Sequence, residues 1–101
     1  MMIKQKLLNI LGLAKRAGKL VTGEELVVRA IQNQTVQLVF LASDASSNLT
    51  KKVNNKSNTY QIKISQDFTQ NELSQAIGSD RKVIAVADEG FAKKMEKLLM
   101  Q

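Results

Sequence analysis

Two short runs, V-Q-L-V-F-L-A at Val36–Ala42 and K-V-I-A-V-A at Lys82–Ala87, constrain the fold more than any other feature of the chain. Both have strand length and carry β-branched residues, and neither alternates polar with apolar positions. Successive side chains of a strand point to opposite faces. A strand that is apolar at every position therefore needs apolar cover on both sides. Helices have to supply it, and the intervening sequence reads as helical. Residues 2–17 place Ile3, Leu7, Leu8, Leu11 and Ala14 on one face. Thr22 is expected to open a second helix with a stripe of Leu26, Val27, Ala30 and Ile31. A third helix is expected over about Ser46–Asn55, a fourth from Thr69 to Gly78, and a last over Phe91–Leu99 with Phe91, Met95, Leu98 and Leu99 inward. Lys19–Val21 and Tyr60–Ile64 complete the extended segments, and Gly18 and Gly78 are plausible helix stops. Strands alternating with helices predict an α/β/α sandwich.

With no proline, linker or low-complexity stretch, residues 1–101 read as one domain, long enough to bury a core unaided. Cysteine and histidine are both absent. That excludes disulfides, thiolate metal sites, and every nucleophile arrangement that leans on an imidazole. No apolar run approaches the roughly 20 residues of a membrane span. The N-terminal segment reads as a packed helix and not a secretory leader, so the expected setting is the cytoplasm. The formal net charge is +6, and it is unevenly placed. Residues 1–63 hold 10 Lys/Arg against 3 Asp/Glu, whereas residues 64–101 hold 5 against 6. A basic half on a small domain is the electrostatic footprint of a nucleic-acid binder, and equally of an ordinary solvated surface.

The segment T-G-E-E at Thr22–Glu25 sets two acids inside that basic half. Thr22 and Glu25 have the spacing of a capping box, both acids suit a helix N-terminus, and Glu25 stands four residues before Arg29. Thr69 and Glu72 repeat the box. Gly23 is not explained this way, because glycine is a poor first helical residue. It would suit the close approach of another backbone to the helix start, where free amides bind phosphate, or equally a tight turn. A-S-D-A and A-D-E-G follow the two long strands, and on parallel neighbours Asp44 and Asp88 would share a sheet end able to hold Mg²⁺. The simpler reading makes each aspartate a helix cap. Lys15-Arg16, Lys51-Lys52 and Lys93-Lys94 are helix-surface charge, although Lys15, Arg16 and Lys19 lead directly toward Gly23. Four aromatic residues, at least two of them core-like, leave no platform for stacking single-stranded bases.

A-K-R-A-G-K-L-V-T-G-E-E-L-V-V-R-A, then L-V-F-L-A-S-D-A, E-L-S-Q-A-I-G and E-G-F-A-K-K, together resemble the kink-turn-binding ribosomal proteins of the L-seven-Ae family, and most nearly their small bacterial YlxQ-like members. The resemblance runs from about Leu11 to Leu99 in order and spacing. It implies a sandwich with a mixed four-stranded sheet that binds RNA bent at an internal loop flanked by sheared G·A pairs. The family's G-x-N-E-x-x-K falls on Gly23, with Glu25 at the asparagine, Leu26 at the glutamate and Arg29 at the lysine; Lys19 matches a lysine of the strand leading in. Glu25 can accept a guanine N–H but cannot donate. Arg29 can contact guanine O6 and N7. The family's apolar loop before the last strand is here Ser79-Asp80-Arg81-Lys82, which suggests a phosphate contact.

The expectation is therefore a non-enzymatic, cofactor-free protein that binds structured RNA of the kink-turn type, ribosomal or ribosome-associated, with no membrane or small-molecule partner. The RNA-binding set implied by the resemblance is Lys15, Lys19, Thr22, Gly23, Glu24, Glu25, Arg29, Asp44, Ser79, Arg81 and Lys82. Two alternatives stand beside it: a protein-interaction module on the same fold, and a Mg²⁺-dependent enzyme using Asp44 and Asp88.

Overall fold

A computed structural model describes residues 3–101. Its elements run α1 (Ile3–Arg16), β1 (Leu20–Thr22), α2 (Glu24–Gln32), β2 (Leu38–Leu41), α3 (Ser47–Tyr60), β3 (Lys63–Ser65), α4 (Gln70–Ile77), β4 (Val83–Val86) and α5 (Glu89–Leu99). The four strands form one sheet in the order β1-β4-β2-β3. Only β2 and β3 are parallel; β4 runs antiparallel to both of its neighbours.

The strands formed from the two apolar runs, β2 and β4, lie at the centre of the sheet and are buried at every position. Their side chains divide by parity. Leu38, Phe40, Ile84 and Val86 pack with Leu7, Leu11, Leu73, Ile77 and Met95 of α1, α4 and α5. Val39, Leu41, Val83 and Ala85 pack with Val27, Ile31, Leu49 and Val53 of α2 and α3. Helices thus cover both faces, and the α/β/α sandwich holds. A leucine or valine side chain moved from water to such a core is worth about 1.5–3 kcal/mol, so either layer's removal would leave the central strands untenable. On the first face α1 and α4 approach closely: a methyl group added at Gly12 would sit 3.0 Å from the Ala76 carbonyl oxygen.

Several boundaries differ from the sequence expectation, each for a physical reason. The first residue of the expected 2–17 helix lies outside the described residues. The third helix continues past Asn55 to Tyr60, taking up the start of the segment expected to be a strand. Its N-N-K-S-N-T composition suggests a turn, yet Leu49, Val53 and Ser57 fall four apart and are all buried, so the small serine extends the inner face by another turn. Gln61 ends it in the left-handed region at φ 56°. The fourth helix matches the expectation at both ends: Thr69 and Glu72 form the full capping box and Gly78 closes the helix.

Candidate nucleic-acid interface

The second helix does not begin as expected. Thr22 stays in β1 opposite Ile84, and its side chain caps nothing. Gly23 is the N-cap instead, at φ 93° and ψ 151°, with its carbonyl accepting from the Val27 amide at 3.0 Å. The amide of Gly23 donates to the Val83 carbonyl at 3.1 Å, so sheet pairing persists through residue 23 and displaces the helix start by one residue. That backbone conformation is open almost exclusively to glycine. The expected Thr22–Glu25 capping box is therefore not formed. The other capped starts use a side chain: Ser46 for α3, Thr69 for α4 and Asp88 for α5. Among the described residues no side chain caps α2, and its first-turn amides at Glu24, Glu25 and Leu26 have no intrahelical partner. A methyl group at Gly23 would meet nothing within 4 Å, so the helix start opens directly to its surroundings.

Around this start the fold gathers three connections at one end of the sheet. The Ala42 amide donates to Lys82 O at 2.8 Å and Ser43 N to Phe68 O at 2.8 Å, which brings the β2–α3, β3–α4 and α4–β4 connections together beside Gly23. Arg81 reaches across to β1: its Nε donates to Thr22 Oγ1 at 3.2 Å and a terminal nitrogen to the Asp80 carbonyl at 2.8 Å. Two of its five N–H groups are thereby occupied, leaving an exposed, oriented guanidinium with donors to spare. Ser74 Oγ anchors the loop, accepting from Arg81 N at 2.9 Å and lying 3.2 Å from Arg81 O and 3.3 Å from Asp80 Oδ1, one of which takes its single proton. Gln70 adds a bond from Nε2 to Asp80 Oδ1 at 2.8 Å. Lys52 of α3 pairs with Glu24 at 3.0 Å, with both side chains about half exposed. Such a pair contributes little stability, but it draws the α3 lysine to the α2 start.

Thr22, Gly23, Glu24, Glu25, Asp44, Ser79, Arg81 and Lys82 thus share one end of the molecule. Arg29 lies on the outer face of α2, about 9 Å along the helix from Gly23. Lys15 and Lys19 are not part of the cluster. Lys15 ends α1, and Lys19 O accepts from Ala87 N at the far end of the sheet. The three residues of β1 lie between Lys19 and Gly23 and hold them about 13 Å apart. The expected Glu25–Arg29 ion pair is not formed: the described residues hold ion pairs only at Lys4–Glu72 and Lys52–Glu24. Both groups are exposed, where such a pair scarcely offsets the entropy of fixing it. Leu26, assigned by its spacing to the core stripe, is 55 % exposed, and Val28 occupies the inner flank in its place.

The Mg²⁺ alternative does not survive the topology. Because β2 and β4 are antiparallel, Asp44 follows β2 at one end of the sheet and Asp88 follows β4 at the other. The length of β2 alone separates those ends by about 10 Å, far beyond a shared ion with ligands near 2 Å. Each carboxylate serves a helix: Asp44 Oδ1 accepts from Gln70 N at 2.9 Å, and Asp88 Oδ2 from Phe91 N at 2.8 Å. Among the described residues no group of three or more metal-ligating side chains occurs. No helix there is long and apolar enough to cross a membrane. Phe40 and Phe68 are buried together, with ring centroids 5.9 Å apart, and Tyr60 and Phe91 are partly buried.

Sequence reasoning missed four contributors to this surface. Ser74, Gln70 and Lys52 acquire their places only through long-range contacts, and no local pattern marks them. Leu26 left a faint signal, since L-V-V offers three apolar residues where the stripe needs two.

Comparison with known proteins agrees with this fold. The profile of the Ribosomal protein L7Ae/L30e/S12e/Gadd45 family matches residues 5–96. A protein of Enterococcus faecium named RNA-binding protein YlxQ is 48 % identical over 96 residues, covering 95 % of this chain and 93 % of its own. The Bacillus subtilis protein of the same name is 46 % identical over 91 residues, covering 89 % and 91 %. A Bacillus halodurans protein of unknown function has a solved structure that superposes with a TM-score of 0.91 at 45 % identity, covering 95 % and 98 % of the two chains. The Giardia lamblia 15.5kD RNA binding protein superposes at 0.82 with 13 % identity, covering 97 % and 85 %, a likeness of fold.

Proposed function

The chain belongs to the L7Ae/L30e/S12e/Gadd45 family of ribosomal proteins, and from that premise we propose that it is a non-enzymatic RNA-binding protein that recognises kink-turn-like structured RNA. In this reading residues 1–101 act as one domain in the cytoplasm, on ribosomal RNA or another RNA with the same bend. The observation that carries it is the start of α2. Free amides there, open space at Gly23 and an oriented Arg81 guanidinium form an open, donor-rich edge suited to a phosphodiester backbone that turns sharply.

Roles within the surface follow from chemistry. Arg81 and Lys82 take phosphates. Glu25 accepts base-edge N–H groups of guanine, and Arg29, on the same exposed face, donates to guanine O6 and N7. Glu24 is held back by Lys52. Lys15 and Lys19, beyond the far end of the edge strand β1, add an electrostatic, sequence-independent contribution. Asp44 orders the loop at the helix-start corner through the Gln70 amide, and so acts on RNA indirectly. The names of the relatives, at 46–48 % identity over most of both chains, support RNA as the ligand class.

The test is a titration of the full chain against a kink-turn RNA and a straight duplex of matched length and charge, at several salt concentrations. Tighter binding of the bent RNA that persists as salt rises is expected. Equal affinities at every salt would remove shape recognition from the account.

A further inference from the structure

Most of the net charge of this chain lies away from the start of α2. Helices α1 and α5 together carry 7 Lys/Arg against 2 Asp/Glu, which is +5 of the formal +6. Both pack on one face of the sheet, through Leu11, Met95 and their neighbours, whereas α2 packs on the other. Charge on a helix surface is by itself ordinary solvation. Here it surrounds a feature of a different kind.

A groove of about 480 Å³ lies between α1 and α5, with Ile10 and Leu98 in its floor and Lys6, Lys94 and Lys97 along it. Its lining is mainly apolar although three of its residues are exposed lysines. Their methylene stems therefore form the walls, and the ammonium groups make a rim. Among the described residues none of the three pairs with a carboxylate, since the ion pairs there are Lys4–Glu72 and Lys52–Glu24. The groove also holds no carboxylate of its own. Four other surface grooves each include one, Glu72, Asp67 or Asp80. Glu96, next to Lys97 in sequence, lines one of those instead, beside Lys63 of β3.

An apolar floor with an uncompensated cationic rim complements apolar side chains flanked by carboxylates. Other occupants match it less well. A nucleic-acid backbone would satisfy the lysines but set phosphates over the apolar floor. A second copy of this chain, docked symmetrically, would bring two lysine rims together. An extended peptide would find no strand edge here for its backbone N–H and C=O groups, whereas a helix satisfies its own.

We propose that the α1–α5 groove docks an acidic amphipathic helix of a partner protein. Apolar side chains of that helix cover Ile10 and Leu98, and its carboxylates face Lys6, Lys94 and Lys97. The site is separate from the start of α2 and does not depend on the reading given under Proposed function. With RNA at one surface and an acidic protein at the other, the chain would join the two.

The experiment titrates the isotope-labelled full chain, at several salt concentrations, with three synthetic helical peptides. One carries a leucine stripe at i, i+4 and i+7 among glutamates; the second has lysine for glutamate, and the third serine for leucine. The acidic leucine peptide is expected to saturate and to shift the methyl signals of Ile10 and Leu98. The serine peptide should bind about 10-fold more weakly or worse, having lost its apolar contact. Lys94→Glu and Lys97→Glu should each weaken the acidic peptide at low salt, and together should turn the preference toward the lysine peptide. Both lysines are exposed, so each variant should melt within about 2 °C of wild type. Kink-turn RNA in place of peptide should leave the two methyl signals where they are. No saturation by the acidic peptide up to about 1 mM, equal binding of the serine peptide, or shifts that miss Ile10 and Leu98 overturn the proposal. So does RNA that shifts those methyls, or a wild-type dimer in sedimentation that the glutamate variants dissociate, because the groove then serves another occupant.

Discussion

Gly23→Ala is the substitution with the most definite structural consequence. The backbone there stands at φ 93° and ψ 151°, outside what L-residues adopt. Space is not the difficulty, since the added methyl would meet nothing within 4 Å. The whole effect is conformational. Holding alanine in this region costs about 1–3 kcal/mol, and relaxing out of it would break the Gly23–Val83 bond that ties the helix start to β4. For a domain of this size each kcal/mol lowers the melting temperature by about 4–8 °C. Thermal unfolding followed by circular dichroism should therefore show Gly23→Ala melting well below wild type. A chemically synthesised chain with D-alanine at the same position is the control. The mirror-image residue accepts this positive φ, with its ψ about 30° beyond the mirror-image extended region, so its melting should lie above that of the L-alanine chain. If the L-alanine chain melts within about 1 °C of wild type, or both alanine chains lose stability equally, the strain described at this helix start is wrong.

Thr69→Ala should cost about 1 kcal/mol in urea unfolding, because it removes one arm of the capping box on α4; an unchanged midpoint would contradict the cap. Glu72, the other arm, has its carboxyl held below the ordinary glutamate range by the Thr69 amide at 2.9 Å and then by Lys4 at 3.3 Å. A depressed carboxyl stabilises the fold fully above its unfolded pKa and loses that contribution as pH falls through the folded value. The stability difference between wild type and Glu72→Gln should accordingly be present at neutral pH and vanish in acid, below about pH 4; a pH-independent difference would refute the linkage. Arg29→Ala should weaken kink-turn binding by about 1–3 kcal/mol if it reads guanine. A nil effect, with Lys19→Ala still harmful, would leave only phosphate contacts in this region.

What could be read in advance depended on whether its cause was local. The central strands were legible because five consecutive apolar residues in each, Leu38–Ala42 and Val83–Ala87, admit few other environments. The Thr69 box and the Gly78 stop were legible because each device lies within one helix end. At Thr22 two local devices competed: T-G-E-E fits a capping box, but the strand pairs through Gly23, and that choice belongs to β4. Strand direction is likewise not written in either partner. Asp44 and Asp88 follow similar motifs, yet antiparallel pairing puts them at opposite ends of the sheet. Leu26 shows the same limit on a helix, where L-V-V allowed the inner stripe to shift by one residue. The residues that order the candidate site, Ser74 among them, depend on contacts between connections far apart in sequence, so the surface could be outlined from the chain but not assembled.

Amide chemical shifts, followed residue by residue as a kink-turn RNA is added to the labelled chain, test the central claim most directly. If the bent strand sits at the opening of α2, the largest changes should fall on Gly23, Glu24, Glu25 and Leu26, with Arg81 and Lys82 beside them, and the lysines of α5 should scarcely move. Large changes confined to Lys93–Lys97, with the Gly23 turn unaffected, would place the RNA elsewhere and contradict the account.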